Sequence, residues 1–313
     1  MLNRRECFEN VTNLLLKQRL WKFEFDSHDA GRYLYGMLQI SGLYIYPIKS
    51  MGGISVDRAF VTDRGFEHDR RWMLVDGNNL FISQRECAQM ALMDIKITDA
   101  GLSVTYLPRK ASILIPFEPQ TDEFTEVTIW DDTCPGQFAG HKYDHWFCEM
   151  LGIYSRLVYM PDGTKRITDQ RYTPENCITS FSDAYPFLII GQASLDDLNS
   201  HLDESVQMNR FRPNIVFTGG EPFSEDLMHT FTVSDIQFNG VKLCARCPIP
   251  TINQETLIQG KEPLKTLARY RFKNNKILFG QNLIHRGKGT IAIGDEIRVS
   301  KLNAEERFLV NLP

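Results

Sequence analysis

Short runs of alternating apolar and polar residues constrain the fold of this chain most strongly. The alternation is clear in GLYIYPI, RRWMLVD, GLSVTYL and EVTIW. A period of two residues over four to eight positions is typical of strands with one buried face. Many such runs and few helical ones predict a β-rich α+β fold or a β-barrel, and they argue against a doubly wound parallel sheet.

Helical periodicity is limited to a few short segments. In HKYDHWFCEMLG, large apolar residues recur at helical spacing and Gly152 follows as a stop signal. A second helix is predicted after the buried strand YPFLII, with Ser194 as its N-cap and Asp197 at N3. EPLKTLARYR predicts a third helix. In FTVSDIQFNGVKLCARC, the Asn-Gly pair predicts a turn that joins two strands.

Composition and charge exclude several classes of protein. The formal net charge of −4 over 313 residues argues against nucleic acid as a partner, because binding to phosphate backbones requires a basic surface. No run approaches the roughly 18 apolar residues of a membrane span. The N-terminal segment also lacks the apolar core and cleavage site of a signal peptide. We therefore expect a soluble, cytoplasmic protein that has no membrane partner.

Two segments show little regular alternation of apolar and polar residues. Residues 1–38 predict a short amphipathic helix followed by polar sequence, which we interpret as an N-terminal extension. Residues 161–180 are polar and irregular, and they predict either a domain boundary or an active-site loop.

The stretch VKLCARCPIPTINQ places two thiols, Cys244 and Cys247, three residues apart. Seven cysteines in a chain of this size favour reduced thiols over a disulfide framework. A zinc site would need a second pair of ligands, and a thioredoxin-like dithiol would need a helix that Pro250 disfavours. By itself the pair is best interpreted as two small buried hydrophobes at the end of a strand.

Several cations could form a phosphate clamp, because guanidinium groups bind phosphate in a bidentate manner. Arg246 adjoins Cys247, where it would favour the thiolate. The other candidates are Lys49 with Ser50, Arg70 with Arg71, and Arg210 with Arg212. The alternative is that each is an ordinary solvated charge, and spacing alone does not bring these segments together.

Taken together, the motifs resemble the MOSC family, molybdenum-cofactor proteins that include the mitochondrial amidoxime reducing component and bacterial relatives. LYIYPIKSMGGISV, HDRRWMLVD and FISQRECAQMALM are similar to the family's N-terminal domain. FSDAYPFLIIGQASLDDLN, RFRPNIVFTGG, CARCPIPTIN, EPLKTLARYR and FGQNLIHRGKGTIAIGDEI are similar to the MOSC domain itself. The resemblance implies a MOSC β-barrel domain at residues 161–313, packed with an N-terminal β-rich, barrel-like domain at residues 39–160.

The resemblance also implies a cofactor and its ligands. Cys247 would bind the molybdenum of a pterin cofactor, because a soft thiolate suits that metal, and Cys244 would be structural. The cofactor-binding positions that match the family are Lys49, Ser50, Arg70, Ser182, Asp183, Arg212, Asn214 and Arg246. The chain departs from close relatives at Ala245 and Pro250, where they have serine and threonine. A family association with pyridoxal phosphate is implied by the resemblance alone.

The implied activity is reduction of N-hydroxylated compounds, such as hydroxylated bases, amidoximes and hydroxylamines, with detoxification as its use. The chain has no dinucleotide fingerprint at the start of a helix and no ferredoxin-type cysteine cluster. We therefore expect a separate electron donor, either a flavin reductase, a ferredoxin or a cytochrome. The alternatives are a sulfur carrier that passes a persulfide from Cys247 and a non-catalytic binding protein with inert thiols.

Overall fold

The computed structural model describes residues 37–174 and 176–303, and the predicted N-terminal helix lies outside the described residues. Strands dominate this part of the chain. They are Gln39–Ile45 (β1), Ile54–Val56 (β2), Arg58–Val61 (β3), Trp72–Val75 (β4), Met93–Thr98 (β5), Gly101–Tyr106 (β6), Ala111–Ile115 (β7), Phe124–Ile129 (β8), Asp132–Phe138 (β9), Arg156–Tyr159 (β10), Arg166–Ile167 (β11), Ile178–Thr179 (β12), Phe187–Gly191 (β13), Ile215–Thr218 (β14), Met228–Val233 (β15), Ile236–Ala245 (β16), Phe272–Lys273 (β17), Lys276–Arg286 (β18), Gly289–Ala292 (β19) and Ile297–Leu302 (β20).

Helices are fewer and short. The α-helices are His141–Leu151 (α1), Gln192–Ser200 (α2) and Leu264–Tyr270 (α3). The 3-10 helices are Ala88–Leu92, Met208–Phe211, Ser224–Leu227 and Ile249–Thr251. Across residues 37–174 and 176–303, none of the helices has the length and apolar character needed to cross a membrane.

The largest sheet curls into a half-barrel, and the predicted β-rich α+β fold is confirmed. Its strand order is β2-β1-β14-β13-β18-β16-β15-β20, and β17 adds to β18 at one side. Only β13 and β14 pair in parallel; the other neighbours in this sheet are antiparallel. A buried aromatic core fills the curl of the sheet and includes Phe187, Phe217, Phe231 and Phe238.

Strands from the two halves of the chain pair with one another. In the large sheet β1 pairs with β14, where Leu43 lies opposite Ile215, and β3 pairs with β19 in a separate two-stranded sheet. The backbone before residue 62 is therefore hydrogen-bonded to strands that follow residue 214. The division into domains at residues 39–160 and 161–313 stays a prediction.

A second core lies in the first half of the chain. β4, β10, β9 and β8 form a four-stranded sheet, and β5, β6 and β7 form a three-stranded one. The buried face of α1, which carries Tyr143, Phe147 and Leu151, packs into this core. The predicted helix and its stop are confirmed, because Gly152 takes a left-handed conformation with φ 71°.

Two local predictions are wrong. The second helix begins at Gln192 with Gly191 as its N-cap, and Ser194 lies inside it. The Ser194 hydroxyl instead donates to Glu225 Oε2 at 2.8 Å and accepts from the Phe223 amide at 2.7 Å. A tertiary hydrogen-bond network therefore uses the hydroxyl that the sequence pattern assigned to the helix end.

The Asn-Gly pair does not form the predicted turn. β15 and β16 are joined at Ser234 and Asp235, and Asn239 and Gly240 lie within β16. A Cβ atom at Gly240 would overlap the carbonyl oxygen of Met228. Glycine is required there because neighbouring backbone approaches closely, not because the chain reverses direction.

Candidate active site

The two thiols of the CxRC stretch have different surroundings. Cys244 is the penultimate residue of β16. Cys247 lies two residues beyond the end of that strand, before the 3-10 helix Ile249–Thr251. Both are partly buried and neither forms a disulfide. Cys247 occupies a loop at a strand end, as predicted, and the short 3-10 helix that follows has Pro248 as its N-cap.

The Arg246 side chain contacts Cys244. Its Nη1 donates to Cys244 Sγ at 3.1 Å, and its Nη2 donates to the Phe211 carbonyl oxygen at 2.7 Å. Residues two apart on an extended chain project to the same side, which explains why Arg246 meets Cys244 and not the adjacent Cys247. The effect of the Arg246 charge on the Cys247 thiolate stays a prediction. Burial raises the pKa of the Cys244 thiol, although Arg246 opposes that change.

Tyr46 holds two predicted clamp arginines. The guanidinium carbons of Arg70 and Arg212 each lie 4.3 Å from the centroid of the Tyr46 ring. The Tyr46 hydroxyl donates to the Pro213 carbonyl oxygen at 3.0 Å and so fixes the ring. Such contacts hold a guanidinium flat against an aromatic face. Two cations thereby come together on one buried ring.

The positive charge of Arg70 is balanced by a carboxylate, whereas that of Arg212 is not. Arg70 forms an ion pair with the buried carboxylate of Asp69 and donates to Asn214 Oδ1 at 3.0 Å. Arg212 donates to the Met51 carbonyl oxygen at 2.6 Å and forms no ion pair with a described residue. Burial lowers the pKa of the Arg212 guanidinium to about 10, and the Arg70 charge acts in the same direction. An anion bound here would relieve this repulsion.

Lys49 and Asp183 join two distant segments of the chain. Lys49 Nζ lies 2.6 Å from Asp183 Oδ1 and donates to the Phe181 carbonyl oxygen at 2.8 Å. Burial lowers the pKa of Lys49 to about 8, although Asp183 opposes this. Asp183 is itself exposed over 66% of its side chain, and the Lys49 charge outweighs desolvation to hold the pKa of its carboxyl well below the usual range. Near neutral pH the pair is therefore ionised.

The turn that carries Ser182 and Asp183 is fixed by Arg166. This buried guanidinium donates to the carbonyl oxygens of Ser180, Ser182 and Asp183 at 3.0, 2.6 and 3.1 Å. It also forms an ion pair with Asp132 at 2.7 Å. The polar 161–180 segment thus supplies a residue that orients the site, which agrees with its interpretation as part of an active-site loop.

Three of the predicted site residues have backbone conformations that are uncommon outside glycine. Ser50, Arg70 and Arg212 have φ values of 67°, 50° and 55°. Left-handed backbone at residues with side chains costs about 1–3 kcal/mol each and clusters at functional sites. The Asn214 side chain forms hydrogen bonds within the protein: its amide donates to the Tyr44 carbonyl oxygen and accepts from Arg70.

All nine residues predicted from the sequence line a single pocket. Twelve further lining residues were not predicted as site residues: Phe81, Ser83, Arg85, Ala184, Tyr185, Phe187, Leu188, Phe211, Cys244, Ala245, Ile249 and Asn282. Most of them lie in stretches that carry the family resemblance, but the alternating pattern does not show which side of a strand faces the pocket. Apolar side chains such as Phe81, Phe211 and Ile249 line the same pocket as the polar ones.

Two other candidate arginines lie outside this pocket. Arg71 donates to the Tyr159 hydroxyl at 2.8 Å, and Arg210 donates to the Pro250 carbonyl oxygen at 3.0 Å. Both therefore support the loops around the site. Of the two departures from the family pattern, Ala245 lines the pocket and Pro250 does not.

The amino-acid sequence matches two protein-family models and several known proteins. Family models match the MOSC N-terminal beta barrel domain over residues 37–154 and the MOSC domain over residues 178–298. Mitochondrial amidoxime-reducing component 1 of Mus musculus is 30% identical over 277 residues, which cover 82% of this chain and 81% of the relative. The chain belongs to the MOSC family.

Two further proteins are similar in sequence to this MOSC protein. Mitochondrial amidoxime reducing component 2 of Rattus norvegicus is 31% identical over 286 residues, covering 85% of this chain and 84% of the relative. Molybdenum cofactor sulfurase of Arabidopsis thaliana is 30% identical over 288 residues, which are 82% of this chain and 35% of the sulfurase. The family resemblance found in the sequence motifs is thereby confirmed.

The pocket of this MOSC protein fits the phosphate-bearing molybdenum cofactor that the resemblance implies. Arg212 and Arg246 form no ion pair within the described part of the chain, and Arg246 Nε is buried without a hydrogen-bond partner. Both features suit a bound anion. Residues 37–174 and 176–303 hold no group of three or more His, Cys, Asp or Glu placed to bind a metal ion. A metal that arrives with its own ligands and takes one thiolate, from Cys247, is compatible with this donor set.

Proposed function

We propose that this MOSC protein is a molybdenum cofactor-dependent reductase of N-hydroxylated compounds. The observation that carries the proposal is the convergence of a thiol, Cys247, with the uncompensated cations Arg212 and Arg246 in one pocket. The similarity to proteins named as amidoxime-reducing components supports the reaction class.

Different residues would bind the phosphate and the metal of the cofactor. Arg212 and Arg246 would hold the cofactor phosphate, and Cys247 would bind the metal. When bound, the cofactor would supply the two electrons that reduce the N–O bond, as cofactors generally carry such chemistry. The walls formed by Phe81, Phe211 and other apolar residues would exclude water from the reacting groups.

Lys49 is the group in this pocket best suited to supply a proton. Release of the substrate oxygen as water consumes two protons. The pKa of Lys49 is about 8, which lies close enough to neutral pH for proton donation and recovery. Asp183, which receives its hydrogen bond, would keep the ammonium oriented toward the pocket.

Electrons would come from a separate protein, either a flavin reductase, a ferredoxin or a cytochrome. Among the described residues only α2 follows directly from a strand, and it begins after the single Gly191 with no G-x-G-x-x-G sequence. This arrangement offers no evident site for a nicotinamide dinucleotide.

The test is cofactor content together with turnover. The protein is produced in a host that makes the molybdenum cofactor, and molybdenum and pterin are then measured per chain. We expect about one of each, as a single mononuclear site requires, and reduction of benzamidoxime with reduced viologen as donor. Purified, folded protein that carries neither molybdenum nor pterin would refute the proposal.

A sulfur carrier is the second candidate, favoured by the similarity to a molybdenum cofactor sulfurase. In that case Cys247, which is partly exposed in the pocket, would carry a persulfide. Mass spectrometry of the intact protein after incubation with a cysteine desulfurase would show one added sulfur in the wild type and none in Cys247→Ser. A molybdenum-loaded protein that acquires no sulfur would leave the reductase as the remaining candidate.

A further inference from the structure

Arg85 lies in the pocket with an unused guanidinium group. Its side chain is 18% exposed and lines the same pocket as Cys247. Its one carboxylate contact among the described residues is with Glu86 at 3.6 Å, and the Glu86 side chain is 60% exposed. The guanidinium donates no hydrogen bond within the described part of the chain. The side chain keeps some exposure to solvent, so its N–H groups are free to donate to a ligand that enters the pocket.

Aromatic rings hold Arg85 in place. The guanidinium carbon lies 4.1 Å from the centroid of the Trp130 ring and 5.6 Å from that of Phe81. Trp130 and Phe81 meet edge to face with centroids 5.2 Å apart. Stacking on an indole fixes the guanidinium plane while leaving its N–H edge free to donate.

Trp130 is in turn attached to the pocket. It occupies the hairpin tip between β8 and β9, and its indole Nε1 donates to Asp183 Oδ1 at 3.3 Å. Its φ of 57° is the positive value that the two-residue turn of this hairpin requires. Trp130 is 46% exposed and does not itself line the pocket, but it connects Arg85 to Asp183, which does.

The charge balance indicates what Arg85 is available for. Asp183 compensates Lys49, and Asp69 compensates Arg70. Arg212 and Arg246 are assigned above to the cofactor phosphate. Arg85 shares the Phe81 ring with Lys49, whose Nζ lies 5.0 Å from the ring centroid, and its one carboxylate partner among the described residues is the exposed Glu86. A guanidinium fork in this position matches the two oxygens of a carboxylate.

We propose that Arg85, held against Trp130, is a specificity-determining residue that binds an anionic substituent on the N-hydroxylated substrate. This inference rests on the proposed reductase function. It assigns a preference for substrates that carry a carboxylate or a similar anion away from the N–O group, with Trp130 as the positioning residue.

The test compares two substrates that differ in one group. Benzamidoxime and its 4-carboxylate are reduced with reduced viologen by the wild-type protein and by Arg85→Gln. A charge-assisted contact of about 1.5–3 kcal/mol predicts that the wild type prefers the carboxylate by roughly ten- to a hundred-fold in kcat/KM. In Arg85→Gln this ratio should fall toward one, mainly through KM for the carboxylate. An unchanged ratio in Arg85→Gln would overturn the proposal.

Two further variants sharpen the result. Arg109→Gln is the matched control, because Arg109 is 55% exposed and pairs with Glu149 outside the pocket, so the substrate ratio should not change. Trp130→Leu should reduce the ratio while leaving the charge of Arg85 in place. Equal loss for both substrates in Arg85→Gln, together with a lower pterin content, would place Arg85 on the cofactor and also overturn the proposal.

A binding measurement separates this proposal from the reductase function. Benzoate is titrated into the cofactor-loaded protein, and the fluorescence of Trp130 is isolated by difference with Trp130→Phe. Saturable quenching that Arg85→Gln abolishes would support the anion site even if neither amidoxime is reduced. No saturable response in the wild type would count against the anion site whether or not benzamidoxime is a substrate.

Discussion

The Arg246 guanidinium donates to Cys244 Sγ at 3.1 Å and leaves the neighbouring thiol of Cys247 free. No described residue forms a hydrogen bond with Cys247 Sγ, although this thiol lines the pocket. Cys244 is thus used by the protein itself, whereas Cys247 is available to a ligand. Two cysteines three residues apart therefore have unequal roles.

This inequality predicts different outcomes for the two serine variants. Cys247→Ser should abolish benzamidoxime reduction, because a hydroxyl is a poor ligand for a metal that prefers a thiolate. Cys244→Ser should keep most of the activity, since a hydroxyl can still accept from Arg246. Activity and molybdenum content are measured on both purified variants. Equal losses would instead support a dithiol or a metal site shared by the two thiols.

Removal of the Arg212 charge should weaken cofactor retention. Arg212→Ala deletes a charge-assisted contact worth about 1.5–3 kcal/mol, or roughly ten- to a hundred-fold in affinity. The variant also loses the stack on Tyr46 and the bond to the Met51 carbonyl oxygen, so folding is checked by circular dichroism. Arg109→Ala serves as the surface control. A folded Arg212→Ala protein with full pterin occupancy would contradict the assignment.

The fold was predictable where its determinants are local. Alternation of side chains along short runs predicted strands such as β6 and β8, and the helical spacing predicted α1. Ser194 and Gly240 misled the prediction because a capping signature and a turn signature also arise from tertiary contacts. Ser194 bonds to Glu225, and Gly240 admits the Met228 carbonyl group.

The site was predictable only as a set of residues. The family motifs selected nine residues that share a pocket, but not how their side chains are used. The stack of Arg70 and Arg212 on Tyr46 joins segments far apart in the sequence, so no local pattern could show it. Arg85 was overlooked because its surroundings are provided by Trp130, on another hairpin. The cytoplasmic location stays a prediction.

Glu225 should make the stability of the protein depend on pH. This fully buried carboxyl accepts from Ser194 at one oxygen, while its Oε1 has no partner among the described residues. Burial and the adjacent Asp226 charge raise the pKa of Glu225 above its usual value. The folded state therefore favours the protonated acid. Its contribution to stability is complete below the pKa of the unfolded chain and is lost as the pH rises through the raised pKa of the folded state.

Glu225→Gln should remove this dependence, because glutamine keeps an acceptor for Ser194 and does not ionise. The free energy of unfolding is measured in urea near pH 5 and pH 8. We expect a smaller decrease between the two for the variant, which should be about 1–3 kcal/mol more stable than the wild type at the higher pH. Glu221→Gln, at an exposed position, is the control. An unchanged pH slope in Glu225→Gln would show that Glu225 is ionised in the folded protein.

The supply of electrons gives the last prediction. Reduction of an N–O bond consumes two electrons per turnover, and the described part of the chain offers neither a nucleotide-binding strand–turn–helix nor a cysteine cluster for an iron–sulfur centre. The cofactor-loaded protein should therefore reduce benzamidoxime with reduced viologen but not with NADPH alone. Adding a flavin reductase, with a ferredoxin or a cytochrome where needed, should restore turnover driven by NADPH. Raised salt should slow this coupled reaction if charges guide docking, but should affect the viologen reaction much less. Robust NADPH-dependent turnover by the isolated chain would show that it has a nicotinamide site of its own.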